Sequence, residues 1–341
     1  LKMFLKKGYV VKFIGDNYLH EEPYTSTLQQ MGIEVLYGQE YLTGIWDWLV
    51  KNGKDIHVAY LNRPHIATKY VDFIKEHTDI KMIYYGHDLH FMREFREYEL
   101  TGDVKKRQES EYWKSIEFSL FHKVAVSYYP SYVEEEAIHA VDETIPVKAI
   151  TAYVYEEFLQ NLNKDFAKRE GLLFVGGFAH PPNADAVLWF AKEVFPKIRE
   201  QLKVNFYIVG SKVTDEIKAL EQPGNGIIVK GFVSEEELAD LYRNCRIVVV
   251  PLRYGAGVKG KVVEAIYNGA PIVTTSVGSE GIPDVEKVLL VKDQPDEFAE
   301  TVVELYKDEK RLEDLAEKTQ VYIREHFSID AAWDVIKEDF E

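Results

Sequence analysis

The stretch Pro251-Leu-Arg-Tyr-Gly-Ala-Gly-Val-Lys-Gly-Lys-Val-Val-Glu-Ala-Ile-Tyr-Asn-Gly-Ala-Pro-Ile-Val-Thr-Thr275 decides the fold. The β-branched run Ile247–Val250 just before it reads as a buried strand, and Ile272–Thr274 near its end reads as the next. Between the two, Gly255, Gly257 and Gly260 make a loop that a ligand can approach closely, and an amphipathic helix begins near Lys259. Strand, glycine loop, helix and strand form one unit of a parallel sheet with crossover helices. The amides that open such a helix have no carbonyl behind them and face whatever lies beyond the strand ends. With Lys259 and Lys261 beside them, a diphosphate is the fitting ligand, because amides, helix dipole and ammonium groups all favour dense negative charge. Glu264 follows on the same helix, placed to accept hydrogen bonds from a ribose diol.

The same rhythm extends outward in both directions. Leu172–Val175, Asn205–Val209, Ile227–Val229 and Val288–Val291 complete one set of strands with helices between them. An earlier set consists of Tyr9–Ile14, Ile33–Leu36, Ile56–Leu61, Lys81–Tyr85, Lys123–Ser127 and Pro146–Ile150. At 341 residues the chain exceeds the usual reach of one core. Two doubly wound α/β domains are therefore expected, at 1–155 and 156–327, with a helix at 328–341 capped by Ser328. Leu1–Lys7 reads as the last turns of a helix closed by Gly8, so a first strand and its phosphate-facing loop are missing and a trimmed or partly unobserved N-terminus is expected.

Charge and composition exclude several classes. The net charge is -16, and both halves are acidic, which argues against a nucleic-acid partner and leaves at most peripheral membrane contact. No apolar run approaches a membrane span and no export signal is evident, so a cytoplasmic protein is expected. The single cysteine, Cys245, precedes a buried strand and reads as inert.

The run Pro-x3-Gly-x-Gly...Glu-Ala-x3-Gly-x-Pro-Ile-Val-Thr-Thr resembles the donor-site signature of glycosyltransferase family 4, the glycosyl transferases group 1 domain. Leu173–Phe178 followed by Pro182-Asn183, Tyr207–Ser211 and Gly231–Leu238 agree with it. The resemblance covers Leu172 to about Phe327 well and the first domain only loosely. It implies the GT-B architecture: two Rossmann-like domains facing a cleft, with the C-terminal helix crossing back to the first. It further implies that Gly257, Val258, Lys259 and Lys261 hold the diphosphate of a nucleotide-sugar and Glu264 the ribose, that Phe232 and Val233 meet the base, and that the turn at Gly177 admits the donor. The family's usual Glu-x7-Glu motif is broken, because the position eight before Glu264 is Ala256. A branch written Arg-Tyr-Gly-Ala-Gly-Val-Lys-Gly-Lys, found among bacterial surface-glycan enzymes including rhamnosyltransferases, is similar to this chain. It would read the sugar through Arg253, Tyr254 or Lys259, with dTDP-rhamnose as one donor to consider.

In the first domain, Tyr84-Tyr-Gly-His-Asp-Leu-His-Phe-Met-Arg93 follows a strand and so lies at a sheet's C-terminal edge. Related transferases place an acceptor-facing histidine or aspartate there, which makes His87, Asp88 and His90 the expected catalytic group. A His-Asp-x-His metal site lacks a third ligand motif, and no Asp-x-Asp pair accompanies it, so no metal and no cofactor beyond the nucleotide-sugar substrate are expected. The resemblance implies retention of anomeric configuration. The acceptor stays open between a growing glycan, a lipid-linked sugar and a glycosylated protein.

Two other readings stand beside this one. Gly255-x-Gly257-x-x-Gly260 also satisfies the spacing of a nicotinamide-dependent oxidoreductase. A non-catalytic protein that kept the fold and binds nucleotide-sugar without turnover is the other.

Overall fold

The computed structural model describes residues 1–255 and 257–340. The chain forms two compact units. One is Leu1–Ile150 together with the residues from Trp333 on, and the other is Thr151–Ala332.

The first unit carries β1 (Lys12–Ile14), β2 (Glu34–Leu36), β3 (Val58–Asn62), β4 (Lys81–Tyr85), β5 (Val126–Tyr129) and β6 (Val147–Ala149). Strands β3 to β6 lie side by side in chain order, all parallel, while β1 and β2 pair only with each other. The central strands are apolar on both faces, as a sheet covered by helices on both sides requires: Ile83, Tyr84, Tyr128 and Tyr129 are completely buried. Their core is closed by Val71 and Ile74 of the helix Pro64–His77 and by Leu120 and Phe121 of the helix Val104–Phe121.

The second unit holds β7 (Leu172–Val175), β8 (Phe206–Val209), β9 (Ile227–Gly231), β10 (Ile247–Val250), β11 (Ile272–Thr274) and β12 (Leu289–Val291). All pair in parallel in the order β12-β11-β10-β7-β8-β9. The chain winds outward in one direction from β7, then returns to β10 and winds outward in the other. The crevice beyond the carboxyl ends of β7 and β10 is the topological switch point, where ligands bind in open α/β sheets. In the first unit the described strands show no such reversal.

The division between the units falls at Ile150–Thr151, ahead of the expected boundary after Tyr155, for a local reason. The Tyr155 amide donates to the Phe327 carbonyl at 2.8 Å, and the Tyr155 ring stacks on Tyr267 at 4.1 Å, so this segment is already part of the second unit. At the other end, Ser328 caps the helix Ile329–Ile336, accepting from the Ala331 amide at 3.1 Å. From Trp333 on, the chain packs in the first unit. Trp333 and Phe340 meet Phe4 and Tyr9, and Asp339 accepts from the Tyr128 hydroxyl at 2.6 Å and pairs with Lys148 at 2.7 Å. Among the described residues no helix is long and apolar enough to cross a membrane.

Candidate functional site

In the second unit the site starts from fully buried β10, whose end leaves the sheet through Pro251 and Leu252. Gly255 and Gly257 then take φ of 131° and 73°, backbone that a side chain would strain. Ala256, on which the missing motif carboxylate falls, lies outside the described residues. Lys259 is extended and caps the helix Gly260–Tyr267. A Cβ on Gly260 would stand 2.7 Å from the hydroxyl oxygen of Tyr153, so glycine here lets that ring lie against the helix start.

The two lysines enter from the same turn but are held differently. Lys259 donates to the Gly257 carbonyl and lies 3.9 Å from a carboxylate oxygen of Glu280. Lys261 donates to Asn183 Oδ1 and lies 4.9 Å above the Phe174 ring. Burial, and then the neighbouring Lys259, push its pKa down to about 8. Asn183 in turn donates to the Gly177 carbonyl at 2.7 Å. The loops that leave β7 and β10 are thus cross-braced through one amide side chain at the switch point. Gly176 is required by the same packing, since a Cβ there would lie 3.0 Å from both the Lys261 ammonium and the Asn183 side chain. His180 stands at the start of the next helix, and burial, then Lys261 and Lys259, hold its imidazole below the ordinary value. The site therefore concentrates positive charge in one small volume, which suits a polyanion.

Other residues expected at the donor site take varied places. Glu264 is half-buried and accepts from the Tyr242 hydroxyl at 3.3 Å, and burial raises its pKa. Gly177 lies in the loop after β7, and Val258 packs against the core of this unit. Phe232 is 81% exposed directly after β9, whereas Val233 folds back on the core. Arg253 is tied to Asp185 of the helix Pro181–Trp189 and lies 5.9 Å from the Trp189 ring; Tyr254 is half-buried beside it. Asn183, His180, Tyr153 and Glu280 had no assigned role in the sequence. Only the Pro182-Asn183 pair flagged one of these segments.

In the first unit, Asp88 and His90 lie side by side, while the His87 ring meets Asn62 and Tyr85. His87 has φ of 67°, and its Nε2 lies 3.1 Å from Asn62 Oδ1. Burial and then the Arg63 guanidinium hold its pKa low. Asp88 accepts from Arg93 and lies 3.8 Å from His90 Nδ1. The fully buried Glu117, on the helix Val104–Phe121, accepts the amides of His90 at 2.9 Å and Phe91 at 3.1 Å, and lies 3.3 Å from His90 Nδ1. It caps the helix His90–Thr101 from outside, a contact that sequence spacing does not reveal. Burial alone would lower the His90 pKa, but Glu117 and Asp88 outweigh it and raise it. Two imidazoles three positions apart are therefore biased in opposite directions, one toward neutral and one toward charged.

Among the described residues no group of three His, Cys, Asp or Glu side chains is arranged to hold a metal ion. Cys245 is buried, which pushes its thiol up to about 11 and leaves it unreactive.

Residues 169–308 match the family model described as glycosyl transferases group 1. A Klebsiella pneumoniae protein described as an uncharacterized 44.6 kDa protein in the cps region is 29% identical over 184 residues, which are 51% of this chain and 45% of that protein. The chain thus spans less than half the length of this curated relative. Among solved structures, Anabaena Alr3699/HepE in complex with UDP aligns with a TM-score of 0.67 at 13% identity, covering 97% of this chain and 99% of that one. A point mutant of S. aureus TarM, in complex with fondaparinux, alpha-GlcNAc-glycerol and UDP, aligns at 0.64 and 14% identity, covering 87% of this chain and 58% of that one. At these identities the likeness is one of fold: the architecture is that of the GT-B glycosyltransferases.

Proposed function

We propose that this chain, whose second unit carries the glycosyl transferases group 1 match, transfers a sugar from a nucleoside diphosphate donor to a glycan or other acceptor. The observation that carries the reading is the convergence of Lys259, Lys261 and the opening of the helix Gly260–Tyr267 on the switch point of a parallel sheet. In this reading the lysines and helix amides hold the diphosphate and stabilise it as it leaves, so no divalent cation is needed. Glu264 takes the ribose and the exposed Phe232 stacks on the base, with Val233 behind it. The first unit supplies His87, Asp88 and His90 to orient the acceptor hydroxyl or the sugar, and transfer retains configuration. A match to a protein from a cps region supports a surface glycan as the product, and UDP in two structures of the same fold supports a uridine base beside dTDP-rhamnose. We place the reaction in the cytoplasm.

The test is a screen of UDP-glucose, dTDP-rhamnose, GDP-mannose and ADP-glucose for binding and for nucleotide release, with and without EDTA. Release of one nucleotide diphosphate with EDTA present is the expected result. Binding without turnover against a panel of glycan acceptors supports the non-catalytic reading, and NADH binding in place of all four overturns both.

A further inference from the structure

We propose that Glu280 is a specificity-determining residue that reads the hydroxyl groups of the donor's sugar; this rests on the proposed donor site. Strands β10 and β11 run in register, with Val250 opposite Thr274, so the glycine loop and the turn Ser276–Gly281 leave adjacent strand ends at the same height. The turn is pinned there. Thr275 donates its hydroxyl to the Leu252 carbonyl and accepts the Gly278 amide at 3.1 Å, and the Ser276 amide donates to Asp293 at 2.8 Å. A Cβ on Gly278 would stand 2.9 Å from the Val250 carbonyl, so the turn lies directly on the end of β10. Gly281, with φ of 75°, then turns the chain away.

This bracing delivers the Glu280 carboxylate to 3.9 Å from the Lys259 ammonium, with the two side chains only 16% and 11% exposed. A carboxylate set into a cluster of cations built for a polyanion costs phosphate affinity unless the ligand also brings hydrogen-bond donors. The sugar of a nucleotide-sugar does bring them, and a carboxylate is an acceptor-only group suited to vicinal hydroxyls. Glu264 lies more than a turn further along the helix and already accepts from Tyr242. Glu280 is the carboxylate that stands at the mouth of that helix, beside the lysine that caps it.

The experiment is calorimetric titration of wild type, Glu280→Gln, Glu280→Asp and Glu280→Ala with UDP against UDP-glucose, and with dTDP against dTDP-rhamnose. For the base that wild type binds, Glu280→Gln and Glu280→Ala should bind the bare diphosphate as tightly as wild type or tighter, which also reports an intact fold. The preference for the sugar nucleotide over the diphosphate should change by tenfold or more, with Glu280→Asp partly restoring it. If diphosphate and sugar nucleotide weaken by the same factor, Glu280 only holds Lys259 and the inference is overturned. An unchanged ratio with intact affinities overturns it as well. Failure of wild type to bind any of the four ligands overturns the donor-site reading itself.

Discussion

Lys261 donates its ammonium to Asn183 Oδ1, and through Asn183 it is fastened to the loop after β7 although it belongs to the helix after β10. Its charge is therefore held at the switch point before any ligand arrives. Lys261→Ala should weaken nucleoside diphosphate binding by roughly 10–100-fold, the range for a charge-assisted hydrogen bond of about 1.5–3 kcal/mol. Asn183→Ala keeps the ammonium but frees it and should cost less. Titration with UDP and dTDP ranks the variants, and wild-type affinity in Lys261→Ala would falsify the assignment.

The same lysine makes binding depend on pH. Its pKa lies near 8 because burial and Lys259 disfavour the charged form, and an anion at the site restores that form. Affinity should hold below about pH 8 and fall by up to roughly tenfold per unit above it, because each binding event must then take up a proton. Lys261→Met should flatten the profile between about pH 8 and 9.5. A flat wild-type profile across that window contradicts the placement.

Free-protein stability runs the opposite way. A lysine depressed from 10.5 to about 8 carries a charge below pH 8 that the fold disfavours, on the order of 3 kcal/mol. Between the two values the unfolded chain binds more protons, so stability rises with pH. Against Lys261→Met, wild type should gain relative stability from about pH 8 upward in chemical denaturation. A constant difference refutes it.

At the helix start, Gly260→Ala drives a methyl against Tyr153. Overpacking costs about 1–3 kcal/mol and exceeds the gain in helix propensity of at most about 1 kcal/mol. The variant should melt lower and bind nucleotide less tightly. Tyr153→Ala should suppress the added cost in a double-mutant cycle, and simple additivity would separate the two residues.

Glu117 and His90 supply the prediction for the first unit. The His90 pKa is raised by Glu117 and Asp88 despite burial and the nearby Arg93, so its stabilising contribution is complete below about pH 6.5 and is lost as pH rises through the folded value. His90→Gln should cost more stability near pH 5.5 than near pH 8.5. Alanine at His87, Asp88 or His90 should lower turnover while leaving nucleotide affinity nearly intact, because that affinity is assigned to the second unit. Normal turnover in all three removes the segment from the reaction. Product anomeric configuration by NMR decides retention independently.

The strands were legible where apolar runs are bounded sharply. Lys81–Tyr85, Leu172–Val175, Ile247–Val250 and Ile272–Thr274 have the ends that the residue pattern marks. Where the pattern tapers, the strand is shorter: Tyr9–Ile14 reduces to Lys12–Ile14, and Val10 is 89% exposed, because an edge strand has no second neighbour to order its start.

Periodicity, glycine spacing and the lysines on either side of Gly260 are local properties, so the sequence by itself determined the parallel α/β architecture and where the glycine loop with its two lysines sits along the chain. The partners of those residues are not local. Asn183 meets Lys261, Glu280 approaches Lys259, Tyr153 covers Gly260 and Glu117 caps the His90 helix, each across a long stretch of chain. Only the order of strands in the sheet and the packing of helices on it bring these groups within reach, because a side-chain contact depends on position in space and leaves no periodic trace in the residues between.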